Sequence, residues 1–239
     1  MNDTLHKKTL GQFYTTNQEY ILQGLKIPDN IINIIEPFAG NGDLLDFINK
    51  ERENNKVNYT IECYDIEPTK NNIIKKDTLK DPPNYKNKFI ITNPPYLARN
   101  KSKDKSMFDK YDVNDLYKCV IKDILTNTCL GGIIIIPLNF WSSIRVSDIE
   151  LRKVFLDKYD IILLNIFEES VFSDTTYTIC SFQFEIKKKI NNDLKIMIYP
   201  SKTIIRTELT ENNNFMIGGE IYKLKSKNIY KITRLTNKN

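Results

Sequence analysis

Asn33-Ile-Ile-Glu-Pro-Phe-Ala-Gly-Asn-Gly-Asp43 is the stretch on which the fold turns. A short apolar run ends in an acid and passes through a proline and two glycines. It then leads into Leu44-Leu-Asp-Phe-Ile-Asn-Lys50, whose apolar residues recur at helical spacing. The reading is strand, tight loop, helix, with Asp43 as the helix N-cap. Gly40 and Gly42 let the backbone approach a ligand closely at this turn. The third glycine of a dinucleotide fingerprint is missing, and so is the Gly-Lys-Ser/Thr of a phosphate loop. Glu36, directly before the loop, suits a cationic group better than a pyrophosphate.

Downstream, strand-like and helix-like segments alternate. Tyr59-Thr-Ile-Glu-Cys-Tyr-Asp65 reads as a strand ending in an acid, and a short strand near Ile73-Ile74 precedes Asp77. Lys88–Thr92 is a further strand, and a helix is expected from about Val113 to Cys129. Gly131-Gly132 leads into the apolar run Ile133–Ile136. Ser147-Asp-Ile-Glu150 is a capping-box pattern opening a helix to about Tyr159. Strands Ile161–Glu168 and Tyr177–Lys187 are separated by a short loop, which makes them antiparallel. The pattern predicts an α/β, Rossmann-like domain: a mainly parallel sheet with helices on both faces and an antiparallel last strand. From Asn191 the pattern changes to short pieces, Ile196–Tyr199, Ile204–Arg206, Glu220–Leu224 and Ile229–Thr233. The expected division is a ligand-binding domain over residues 1–190 and a small C-terminal segment over 191–239.

The chain has 239 residues, 41% of them hydrophobic, enough for one such domain. It has no apolar run of about 18 residues, so no membrane span and no membrane partner are expected. The N-terminus, Met1-Asn-Asp-Thr, lacks the apolar core of a signal peptide. Cys63, Cys119, Cys129 and Cys180 form no CxxC pair and read as reduced core residues. The setting expected is cytoplasmic, or nuclear or a viral factory if the source is a eukaryotic virus. The single histidine, His6, argues against a His-based zinc site or a Ser-His-Asp triad, and no metal ligand is assigned. Net charge is +5, compatible with a polyanionic partner.

Acids at successive strand ends point to one ligand. Asp65 can accept hydrogen bonds from ribose hydroxyls, Ile66 can pack on an adenine ring, and Asp77 can accept from an adenine amino group. A ligand with a ribose, an adenine and a cationic amino-acid part is S-adenosylmethionine rather than NAD. The Lys88–Thr92 strand runs into Asn93-Pro94-Pro95-Tyr96, an amide, two rigid prolines and an aromatic ring at a strand's carboxyl end. The chemistry this suits is methylation of a planar exocyclic amine. The Asn93 side-chain carbonyl and the Pro94 backbone carbonyl can each accept one amine hydrogen, favouring a pyramidal nitrogen, and Tyr96 can stack on the base. Arg99, Lys101, Lys103 and Lys105, with Lys110 beyond, then form a basic loop suited to phosphates.

With these residues in place, the chain resembles the amino-group DNA methyltransferases of the Asn-Pro-Pro-Tyr class, in the gamma arrangement where cofactor segments precede catalysis. Glu36-Pro-Phe38-Ala39-Gly40-Asn-Gly42 matches that family's cofactor loop, and Asp65 and Asp77 match its ribose-binding and adenine-binding acids. The resemblance implies a Rossmann-like S-adenosylmethionine-dependent methyltransferase fold, with Asn93 facing both cofactor and target. Gly11-Gln-Phe-Tyr-Thr-Thr16 resembles the segment preceding the cofactor loop. It implies that Thr15 or Thr16 contacts the methionine carboxylate and that Tyr14 lies near the cofactor. Val171-Phe-Ser-Asp-Thr-Thr-Tyr177 resembles the late motif whose aromatic residue, here Phe172, stacks on a flipped base. The match covers roughly residues 8–187 and implies adenine-N6 methylation of double-stranded DNA. A cognate restriction endonuclease and a second copy of the chain are the candidate protein partners. Methylation of RNA adenine, methylation of a protein glutamine, and an inactive DNA-binding subunit are the alternatives.

Overall fold

A computed structural model of the chain describes residue 15 and residues 17–172, 177–188 and 193–228. Among the described residues nine strands form one sheet: β1 (Asn33–Glu36), β2 (Thr60–Asp65), β3 (Ile74–Lys75), β4 (Phe89–Thr92), β5 (Gly131–Pro137), β6 (Tyr159–Phe167), β7 (Ile179–Ile186), β8 (Asp193–Tyr199) and β9 (Thr203–Glu208). Their order is β3-β2-β1-β4-β5-β7-β6-β8-β9. Strand β7 runs antiparallel to both β5 and β6, and β9 is antiparallel to β8; the remaining pairs are parallel. The expected α/β fold class is met, and the antiparallel strands lie late in the chain.

The central strands β4 and β5, which pair in parallel, are apolar runs of the kind buried on both faces. Every residue of β4 and β5 is buried. Gly132 is required where these two strands meet, since a Cβ there would lie 2.3 Å from Ile90 Cγ2 and 2.5 Å from the Ile90 carbonyl oxygen. Strand order reverses direction between β1 and β4, leaving a crevice at their carboxyl ends, where open α/β sheets bind ligands.

Among the described residues the α-helices are α1 (Gln18–Ile21), α2 (Asp43–Asn55), α3 (Ser106–Tyr111), α4 (Leu116–Thr126), α5 (Asn139–Ser142) and α6 (Val146–Lys158). Four local expectations change. Gly42, at φ 79°, occupies the cap position of α2, so Asp43 is already its first helical residue. The helix expected over Val113–Cys129 is shorter, Leu116–Thr126, and a separate short helix, Ser106–Tyr111, precedes it and ends at Asp112, which turns left-handed at φ 47°. Ser147 is no cap: α6 starts at Val146, and Arg145 before it makes no side-chain capping bond. Glu220–Leu224 is a 3-10 helix over Gly219–Lys223 rather than a strand, and the expected Ile229–Thr233 strand lies outside the described residues.

The division at residue 190 is not a break in the sheet. Strand β8 pairs in parallel with β6, and β9 follows as the outer strand. The chain then returns along α6. Lys153 pairs with Glu211 at 3.2 Å, Arg152 donates to the Asn214 carbonyl at 3.1 Å, and the Ile217 amide donates to the Trp141 carbonyl at 2.9 Å.

Candidate active site

A cavity of about 640 Å³ opens at the carboxyl ends of β1, β2 and β4. Phe38, Ala39 and Gly40 form one wall, Asp65, Ile66 and Asp77 a second, and Asn93 and Pro95 the end nearest β4. Gly40 sits at φ 52° and donates its amide to Asp65 Oδ2 at 2.8 Å, while Asp65 Oδ1 accepts from the Glu67 amide at 2.8 Å. Two backbone donors thus fix the Asp65 carboxylate at the rim with lone pairs left for a ligand. Asp77 holds the Lys80 side chain at 3.3 Å. Gly42 supports the turn without lining the cavity; a side chain there would meet Lys70 Nζ at 3.0 Å.

Glu36 does not face this space. It is fully buried, and its Oε1 accepts from the Phe38 amide at 3.0 Å and from the Thr92 hydroxyl at 2.9 Å. Burial pushes its carboxyl up to about 8. It therefore ties the glycine loop to β4 through Oε1, while Oε2 is buried without a hydrogen-bond partner among the described residues and the residue is not among those lining the cavity. Both acids are the last residues of their strands, Glu36 of β1 and Asp65 of β2, but only Asp65 lines the cavity.

Asn93 is half-buried. Its Nδ2 donates to Thr15 Oγ1 at 3.1 Å, and its Oδ1 accepts from the Tyr96 hydroxyl, which also lies 2.8 Å from the Ile135 carbonyl. Pro94 is buried. The Tyr96 ring is 3% exposed and packs edge-on against Tyr117 with centroids 6.3 Å apart. Phe172 is also buried, at 5%. Both rings expected to stack on a base are therefore covered in this structure. Thr15 lines the cavity; Tyr14 and Thr16 lie outside the described residues.

The basic segment is not an open loop. Residues Arg99–Lys101 form a 3-10 turn, Arg99 pairs with Asp109 at 2.6 Å, and Ala98 bridges to Asp115. Phe108, Leu116 and Cys119 form a small core of their own, packed with Leu79, Leu97, Met107, Tyr111 and Val113. Lys101 and Lys103 line the cavity, whereas Lys105 is exposed at the start of α3. Sequence reasoning missed this lobe and its cavity-lining residues Leu79, Met107, Phe108 and Leu116, as well as Asp43. The apolar residues scattered among the charges were the available signal. Asp115, beside the lobe, is pushed up to about 6 by burial.

The chain is 30% identical over 227 residues to the type II methyltransferase M.HincII of Haemophilus influenzae, covering 88% of this chain and 44% of that protein. The chain thus spans less than half the length of this relative. Among solved structures, it is similar to a Listeria monocytogenes protein assigned to the class I S-adenosylmethionine-dependent methyltransferases. The TM-score is 0.54 at 16% identity, over 77% of this chain and 62% of that one. It is also similar to the type I restriction-modification methyltransferase subunit from Streptococcus thermophilus, with a TM-score of 0.56 at 14% identity over 82% and 50%. No protein-family model matches the chain. The fold is that of the class I methyltransferases, and the sequence is similar to that of type II methyltransferases.

Proposed function

We propose that this chain carries the S-adenosylmethionine site and catalytic site of a restriction-modification enzyme that methylates adenine N6 in duplex DNA. The carrying observation is that Asn93 and Asp65 line one cavity, so an amine-binding amide and a ribose-binding acid open onto the same space. The homology to M.HincII supports a DNA substrate.

The residues present suit the cofactor. Asp65 offers lone pairs to ribose hydroxyls, Ile66 an apolar face to adenine, and Asp77 an acceptor for its amino group. Phe38, Ala39 and Gly40 line the path to Asn93, with Thr15, and Tyr14 and Thr16 by resemblance, toward the methionyl end. When bound, the cofactor supplies an electrophilic methyl on a sulfonium. The target base must leave the duplex, at a cost of a few kcal/mol. Asn93 Oδ1 and the Pro94 carbonyl then accept the two amine hydrogens and aim the nitrogen lone pair. Stacking on Tyr96 and Phe172 returns about 1–3 kcal/mol per ring, once base entry uncovers them. Arg99, Lys101, Lys103 and Lys105 supply phosphate contacts on the rim. A cognate endonuclease and a second copy of the chain are the protein partners this reading allows. Among the described residues no helix is long and apolar enough to cross a membrane.

The test is transfer of labelled methyl from S-adenosylmethionine into duplex DNA, followed by nucleoside analysis. N6-methyladenine is expected, and Asn93→Ala should lower the rate roughly 100-fold or more. Label appearing only in RNA or protein would overturn the substrate assignment.

A further inference from the structure

The cavity has two ends. Asp65, Ile66 and Asp77 mark the adenosine end; Thr15, Asn93 and Pro95 mark the end where the methyl is transferred. Asp43 belongs to the second. It lines the cavity, and its carboxylate bonds the backbone amide of Thr15, the residue whose hydroxyl holds Asn93. The other aspartates of the lining lie away from that end: Asp65 and Asp77 belong to the adenosine end, and Asp104 accepts from the Ser106 amide within the basic segment. Glu36, the acid that sequence reasoning favoured, is sealed beneath the loop.

A methionyl ammonium placed beside Asn93 needs an anionic acceptor at that end, because a buried unpaired cation is costly. We propose that Asp43 receives the α-ammonium group of S-adenosylmethionine, an assignment that rests on the cofactor reading above. Burial raises the Asp43 carboxyl above its ordinary value, and the nearby Lys70 charge offsets only part of this, so the assignment rests on the position of the carboxylate in the cavity and its bond to Thr15. The competing role is purely local: a carboxylate in the first turn of α2 interacts favourably with the helix dipole. That role changes the melting temperature but cannot distinguish ligands.

Calorimetry on the full chain separates the two, using S-adenosylhomocysteine and 5′-methylthioadenosine. Both carry adenosine and a thioether sulfur; only the first carries the ammonium and carboxylate. In Asp43→Asn the Kd for S-adenosylhomocysteine should rise about tenfold or more, from loss of a charged acceptor, while that for 5′-methylthioadenosine stays within about twofold. Asp43→Ser, which also suits a helix start, should show the same selectivity and covers the case of a misfolded Asn variant. Equal weakening of both ligands, or of neither, overturns the proposal. So does a selective loss in Glu36→Gln instead. If the wild-type protein binds neither ligand, the cofactor reading itself fails, an outcome distinct from the loss of Asp43 alone.

Discussion

The two halves of the sheet use polar groups in opposite ways. Across β1–β4, polar side chains at the carboxyl edge open onto the cavity: Asp65, Asp77 and Asn93 sit at its wall. Across β5–β9, the polar groups are turned inward. Lys118 of α4 and Asp148 of α6 form an ion pair with side chains only 2% and 3% exposed, and Lys118 also donates to Asn114 at 2.7 Å. Arg152 is fully buried and donates to the carbonyls of Phe140 at 2.7 Å, Ser143 at 2.8 Å and Asn214 at 3.1 Å. Around them Phe140, Trp141, Phe155, Phe182 and Phe184 pack largely edge to face. One half leaves hydrogen-bonding capacity for a ligand, and the other consumes it to hold helices and the returning C-terminal segment. Glu36 shows that the boundary is fine-grained, since it ends β1 next to the cavity yet bonds internally through Oε1.

That contrast can be broken from the supporting side first. Lys118→Met should cost about 3–5 kcal/mol of stability by leaving Asp148 buried and uncompensated. The double variant Lys118→Met/Asp148→Leu should recover most of this, while affinity for S-adenosylhomocysteine stays unchanged in whatever remains folded. Urea denaturation with parallel calorimetry measures both. A single variant as stable as wild type would mean that the pair contributes nothing.

Glu36 tests the boundary through pH. Its folded pKa of about 8 lies above the ordinary carboxylate value of 4.5, so the native state holds this proton where the unfolded chain has lost it. Its contribution is complete below the unfolded pKa and is lost as pH rises from about 4.5 through about 8, on the order of a few kcal/mol. Glu36→Gln keeps an acceptor for Phe38 and Thr92 but has no proton to lose. Its stability should fall less over this window than that of wild type, as read by thermal melts at stepped pH. Parallel curves would place the charge elsewhere.

On the ligand side, Asp65→Ala should weaken S-adenosylhomocysteine binding by roughly 1.5–3 kcal/mol with a much smaller effect on DNA binding. Unchanged cofactor affinity would remove Asp65 from the site. The smallest effect is expected in the basic segment. Replacing Lys101, Lys103 and Lys105 with alanine should reduce the slope of log DNA affinity against log salt by about 0.9 for each phosphate no longer neutralised. An unchanged slope with weakened cofactor binding would make the segment a cavity wall only.

Local chemistry made much of this legible. The strand at Asn33–Glu36, the glycine loop, the acid ending β2 and the tetrapeptide after β4 follow from apolar periodicity and from residues with restricted or unusual backbone freedom. These signals act over a few residues and survive in isolation. The antiparallel pairing of β6 and β7 was likewise readable, because the short connection leaves no room for a crossover.

Other features depend on partners distant in sequence. The basic segment looked like a phosphate-contacting loop without a core of its own, because that core includes Leu79, contributed from the far side of β4 and the tetrapeptide. Glu220–Leu224 looked like a strand, but Gly219 lies so close to the Asn213 carbonyl that a Cβ would sit 2.0 Å away, and the chain coils there instead. The amino-acid sequence by itself determined which residue types stand at each strand end, and hence the class of chemistry. Only the tertiary structure decided which of those polar groups meet the cavity and which are sealed beneath it. Burial and hydrogen bonding are properties of neighbours brought together by the sheet, and two carboxylates at equivalent strand ends can have opposite surroundings.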